Sequence, residues 1–152
     1  MNKATAAICS GLALVCTACV SAPAKSPQEN SGITQGSTRE RVERSLGEIE
    51  RGMSMRTWDR VQKFFSRDYY GGMSELRNSI EDNWRNERNV NLQFLVNRIN
   101  EQDGLVNAQV RWNKSYVDNT GAPRKKSGVT EFVLKPQGGS YQILKMGGDR
   151  PF

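Results

Sequence analysis

The sequence predicts an α+β domain with helices packed on one face of an antiparallel sheet. Two observations carry this. The first half of the region beyond residue 36 repeats its apolar residues with the period of a helix, and from Trp84 onward the period falls to two. Helices first and strands later is the order of an α+β fold rather than of alternating α/β units.

The elements follow in order. "STRERVERSLGEIERGM" sets Ser37 three residues before Glu40, the spacing of a capping box. Val42, Leu46, Ile49 and Met53 then form one helical stripe, with Arg and Glu on the other faces. "RTWDRVQKFFS" gives a second helix through Trp58, Val61 and Phe65, after a bend at Gly52–Met55. "RDYYGGM" closes this pair in a turn. "SELRNSIEDNW" predicts a third helix with Met73, Leu76, Ile80 and Trp84 aligned and Glu75 near its start.

The strands come next. "NVNLQFLVN" alternates Val90, Leu92, Phe94 and Val96, and "LVNAQVRWNKSYV" alternates Val106, Ala108, Val110 and Trp112 against polar neighbours. "DNTGAPRKKSG" reads as a turn-rich loop with a basic tip, "VTEFVLK" as a third strand, and "PQGGS" as a hairpin before "YQILKMG".

The chain's start gives an address. Its three cysteines, Cys9, Cys16 and Cys19, all fall in the first nineteen residues. Met1-Asn2-Lys3 is basic, and Ala4–Ala18 is uncharged and apolar, the order of an export signal. The run is shorter than the roughly 20 residues a membrane-spanning helix needs. We therefore read Met1–Ala18 as a signal peptide, Cys19–Gly36 as a modified cysteine with a polar, proline-bearing tether, and Ser37–Phe152 as one domain. That domain contains no cysteine, so no disulfide is expected despite export.

"CTAC", with small Thr17 and Ala18 before Cys19, resembles the lipobox of bacterial lipoproteins, although Cys16 stands where that family usually has an aliphatic residue. The resemblance implies that Cys19 receives a diacylglycerol and becomes the first residue. Val20 after it implies sorting to the outer membrane of a Gram-negative envelope, facing the periplasm. The rival is cleavage at "APA", Ala22–Ala24, releasing a soluble periplasmic or secreted chain from Lys25.

The net charge is +6, with fourteen Arg and eight Lys. A basic protein meets anionic partners, and the export signal points to lipid or envelope polymer rather than nucleic acid. Arg124, Lys125 and Lys126 are candidate anion contacts, each worth about 1 kcal/mol near an anionic surface.

The succession of helices, "FFSRDYY", "GGMSELRNSI" and four strands ending in "YQILKMGGD" resembles the nuclear transport factor 2-like superfamily, which includes ketosteroid-isomerase-like domains. The resemblance spans Thr38–Phe152, with Tyr141 where that family often has Trp. It implies three helices held in a strongly curved, mostly antiparallel sheet of four to five strands, a cone that often encloses a pocket. It also implies dimerisation through the outer sheet face, making Gln109, Arg111, Asn113 and the Phe132 neighbourhood candidate interface positions. Trp58, Phe65, Tyr69, Tyr70, Trp84, Phe94, Trp112 and Phe132 are candidate pocket-lining residues, competing with a plain core-filling role.

Residues 37–152 contain no histidine, and with no cysteine there either, the usual zinc and copper sites and the thiolate nucleophile are not expected. No phosphate-binding glycine motif is present, and no cofactor or metal is expected. The isomerases of the superfamily pair a pocket Asp with an oxyanion hole built from Tyr and a protonated Asp. Here Asp68, Tyr69, Tyr70, Asp103 and Asp118 are the available groups; Asp103 and Asp118 sit in turn-like contexts, and Asp68 caps or ends the second helix. On this basis the expectation is a non-enzyme, a lipid-anchored protein that binds a protein partner or apolar ligand as an accessory subunit. A pocket enzyme of the isomerase or hydrolase kind using Asp and Tyr, and a binder of anionic envelope polymer or lipid, are the alternatives.

Overall fold

The structure, a computed structural model, describes residues 37–152. The export signal, Cys19 and the tether lie outside the described residues. Three helices, α1 (Thr38–Ser54), α2 (Trp58–Gln62) and α3 (Met73–Asn86), precede four strands, β1 (Glu87–Gln102), β2 (Leu105–Asp118), β3 (Pro123–Gln137) and β4 (Ser140–Gly148). The strands form one antiparallel sheet in the order β1-β2-β3-β4.

Helix α1 begins where the capping box places it. Ser37 Oγ accepts from Glu40 N, and Glu40 returns the bond to Ser37 N at 2.9 Å. Its stripe of Val42, Leu46, Ile49 and Met53 is buried, each at 1% exposure or less. Gly52 lies where α1 meets α2, and a Cβ there would sit 2.6 Å from Val61 Cγ2 and 3.3 Å from Val61 N. Gly52→Ala is therefore expected to destabilise by about 1–3 kcal/mol through overpacking. Urea unfolding checks this, and an unchanged midpoint would mean that the two helices can part without cost.

The second helix is shorter than its periodicity suggests. It stops at Gln62, and Phe65 leaves the helical path to form a parallel bridge with Ile143 of β4. Ile143 N donates to Phe64 O at 2.8 Å, Ser66 N to Ile143 O at 2.9 Å, and Tyr70 N to Leu144 O at 3.0 Å. The free edge of β4 is thereby occupied. The other edge is served by α1 and the turn after it: Arg39 Nη1 donates to Val96 O at 2.7 Å, Ser54 Oγ to Val90 O at 3.2 Å, Arg56 Nη2 to Glu87 O at 2.6 Å, and Phe94 N to the Glu50 carboxylate. Burial raises the Glu50 pKa against the opposing effect of that last bond.

Two hairpins turn on two residues each. Asp103-Gly104 has φ of 52° and 75°, and Gly138-Gly139 has φ of 51° and 83°. Paired positive φ is the left-handed turn that matches strand twist, and it favours Asp-Gly and Gly-Gly. The third connection differs from its expected form. The ladder between β2 and β3 runs out to Val117 opposite Pro123, so "PRKKSG" is strand, and the turn contracts to Asn119–Ala122.

The inner sheet face carries Val106, Ala108, Val110 and Trp112 of β2 and Thr130, Phe132 and Leu134 of β3, all buried against the helices. The chain's end joins them. Asp149 O accepts from Trp112 Nε1 at 3.1 Å and from the Thr130 hydroxyl, while Phe152, 6% exposed, meets Phe65 edge-on at 6.1 Å.

Candidate functional site

The candidate pocket-lining aromatics separate into groups. Phe65, Tyr69, Trp112 and Phe132 are core, while Trp58, Trp84 and Phe94 are partly buried against it. They pack on one another, with Phe65 and Tyr69 edge-on at 5.2 Å and Phe94 and Phe132 at 5.9 Å. Tyr70 is 80% exposed and leaves the set altogether. Phe132 points inward, so of the candidate interface positions only Gln109, Arg111 and Asn113 alternate to the outer face.

The Asp and Tyr groups are likewise not assembled. Asp68 is exposed and pairs with Lys135 at 3.4 Å. Asp103 forms a hairpin turn. Asp118 Oδ1 accepts from Thr120 N at 2.9 Å, Thr120 Oγ1 at 2.6 Å and Ala122 N at 3.0 Å, and its Oδ2 accepts from Arg124 Nε at 2.8 Å. These bonds, those from Thr120 and Arg124 above all, hold its carboxyl well below the usual carboxylate range. Burial raises the Tyr69 hydroxyl pKa.

The basic triplet needs a correction, because it does not form a loop tip. Arg124 pairs with Asp118 across the turn, and Lys126 turns to the inner face, its Nζ 3.5 Å from Glu87 Oε1. Of the three, only Lys125 is left on the outer face as a free ammonium among the described residues.

What the structure assembles instead is a buried charge cluster that the sequence pattern did not announce. Lys114 and Glu87 are 3% and 4% exposed. Lys114 Nζ donates to Glu87 Oε1 at 3.1 Å and to Asn83 Oδ1 at 3.3 Å, and lies 3.0 Å from Glu87 Oε2. That second oxygen takes the ammonium's charge but no hydrogen bond. The Tyr116 ring lies beneath both ammoniums, 5.6 Å from Lys114 Nζ and 5.1 Å from Lys126 Nζ. Burial pushes the Lys114 ammonium below the ordinary lysine pKa, against the hydrogen bond and charge of Glu87, and the charge of Lys126 adds to the depression. Lys114 simply continues the inward series Val106, Ala108, Val110, Trp112, so its burial was readable from alternation. Glu87 was not. A register shift between Arg88 and Asn91, with Asn89 at φ 51°, flips the parity of β1 and turns Glu87 inward.

A helical layer on one face of a four-stranded, curled and unclosed antiparallel sheet, with α3 running directly into β1, is the nuclear transport factor 2-like fold. Solved structures share it. A nuclear transport factor 2-like superfamily protein from Salmonella enterica aligns with a TM-score of 0.60 at 11% identity, over 72% of this chain and 88% of its own. A hexachlorocyclohexane dehydrochlorinase aligns with a TM-score of 0.63 at 12% identity, over 75% and 85%. A putative scytalone dehydratase from Novosphingobium aromaticivorans aligns with a TM-score of 0.63 at 10% identity, over 74% and 84%. No family model and no curated protein matches the chain.

At these identities the likeness is one of fold. It nonetheless corrects the expectation of a non-enzyme, since enzymes stand among the structures of similar shape. Residues 37–152 hold no histidine or cysteine, and they offer carboxylate, lysine and tyrosine side chains for chemistry.

Proposed function

We propose that the chain is an exported, lipid-anchored protein of the cell envelope whose domain binds a protein partner, a second copy included, through the outer face of the sheet. The observation that carries the binding reading is the disposition of the sheet. Its inner face is filled by the protein's own aromatics and both edges are engaged along part of their length, while the outer face leaves Leu95 at 52% and Val129 at 39% exposure. Leu95, Arg111 and Val129 form one rung across three strands, an apolar and arginine-bearing centre of the kind that anchors interfaces. The anchoring reading rests on the order of charges and apolar residues before Cys19.

The test is fractionation and cross-linking of the full chain. Cys19→Ser is expected to release it from membranes and to lower its mass by a lipid group. Arg111→Glu is expected to abolish a cross-linked species that the parent forms. Soluble parent protein beginning at Lys25 would refute the anchor, and cross-links indifferent to Arg111→Glu would refute the interface.

A second reading is favoured by Lys114. Dehydrochlorination and dehydration, the reactions that two fold neighbours are named for, both need a base to remove a proton as a leaving group departs. Burial lowers the pKa of Lys114, the direction that favours the neutral amine such a base requires. Screening elimination substrates with parent and Lys114→Met in parallel checks this. Turnover that survives in the folded variant would exclude Lys114.

A further inference from the structure

The outer face carries a second feature, next to the Leu95–Arg111–Val129 rung on the side of the β2–β3 turn. A depression of about 460 Å³ lies toward the turn between β2 and β3. Two rungs build it: Asn91, Ser115 and Lys125 in one, Gln93, Asn113 and Ser127 in the other. Alternation sends all six side chains to the face opposite the helices. The same bulge at Asn89 that turns Glu87 inward lies at its rim. Among the described residues, none of these six side chains bonds to another protein group, whereas the polar side chains at the sheet's edges and at Asp118 are engaged.

Three features of this groove define its ligand. Its amides and hydroxyls both donate and accept hydrogen bonds, which suits a hydroxyl-rich molecule. Its charge is one-sided: among the described residues no carboxylate lines it, and Lys125 places a free ammonium in it, while Lys114 and Lys126 pass beneath it and turn their ammoniums to Glu87 on the inner face. Its shape is a shallow trough about 10 Å across three strands and about 7 Å along them, room for two sugar rings.

A peptide would need a free strand edge or an apolar anchor, and the groove has neither. Single-stranded nucleic acid would need an aromatic stacking platform, and the aromatics lie on the other face. We propose that this groove binds an acidic glycan, its sugar hydroxyls or acylamino groups met by Asn91, Gln93 and Asn113 and its negative group by Lys125. The groove adjoins the protein-docking rung, two residues along each strand, and the glycan reading does not depend on the docking one.

The experiment is titration of the full chain in detergent micelles with hyaluronan hexasaccharide, which alternates carboxylate and acylamino sugars. Neutral chitohexaose and a polyglutamate of equal charge are the comparison ligands. Hyaluronan is expected to bind more tightly than either. Asn113→Ala is expected to weaken it about tenfold, the loss of one or two neutral hydrogen bonds, and Lys125→Glu to abolish it. Both positions are on the outer face, so both variants are expected to unfold at the parent's midpoint. Absence of hyaluronan binding would overturn the proposal. So would polyglutamate binding equal to hyaluronan and indifferent to Asn113→Ala, which marks a merely cationic surface. A change of oligomeric state in either variant, seen by light scattering, would overturn it as well, because the groove would then be a protein interface.

Discussion

A chain ending at Gly148 is expected to lose cooperative folding. Residues 149–152 add no helix or strand, yet they close the core. Phe152 fills the space beside Phe65, and removing a phenyl ring from such a site costs about 3 kcal/mol. Asp149 O is the acceptor for Trp112 Nε1 and for the Thr130 hydroxyl. Thr130 is fully buried and Trp112 is 4% exposed, so each donor left without a partner costs about 1–3 kcal/mol. The total is on the order of 6 kcal/mol, against about 5–15 kcal/mol for the whole domain. Phe152→Ala isolates the first part and is expected to shift urea unfolding by about 3 kcal/mol while remaining folded. A truncated chain unfolding within about 1 kcal/mol of the parent would show that the tail is merely laid on the surface.

The second large effect is at the buried charges, and it is asymmetric. Glu87→Gln leaves Lys114 buried beside Lys126 with no counter-charge, and breaking a buried pair in this way costs about 3–5 kcal/mol. Lys114→Met removes a charge of similar length, and Glu87 retains Lys126, so the loss is expected to be about 1 kcal/mol or less. The double variant should recover most of what Glu87→Gln loses. Urea curves on the four proteins decide it. Lys114→Met as harmful as Glu87→Gln would contradict the geometry.

The pH dependence has a defined sign. Lys114 titrates lower when folded than the 10.5 it has unfolded, so its charged form penalises the folded state below that window. The penalty is relieved as pH rises from the depressed value toward 10.5. The difference in stability between parent and Lys114→Met should therefore shift in the parent's favour over that interval. A difference that stays flat would mean that Lys114 is not desolvated.

How much of this could be read from sequence depended on whether a neighbour or the chain itself decided the conformation. The α1 capping box, its stripe and the Gly-Gly hairpin are local chemistry, and they were legible. "PRKKSG" was not. Its proline, glycine and charges describe a loop, and the ladder offered by Trp112–Val117 overrides them. Phe65 fitted a helical stripe but is claimed by the free edge of β4. The same holds for the site. The aromatics were identifiable as a group, yet only packing decides whether they line a space or fill it. Glu87 was hidden by a single residue at positive φ, and with it went the buried carboxylate that faces Lys114.

The two occupied sheet edges govern how copies of this protein meet. A strand with free N–H and C=O groups can recruit another strand, and that one the next, without limit. Here Arg39, Glu50, Ser54 and Arg56 hold one row of such groups, and the segment from Phe64 to Tyr70 holds the other. Along these stretches copies crowded side by side have faces to offer but no open ladder, so strand-to-strand growth is blocked there even where the local concentration is high enough to favour it.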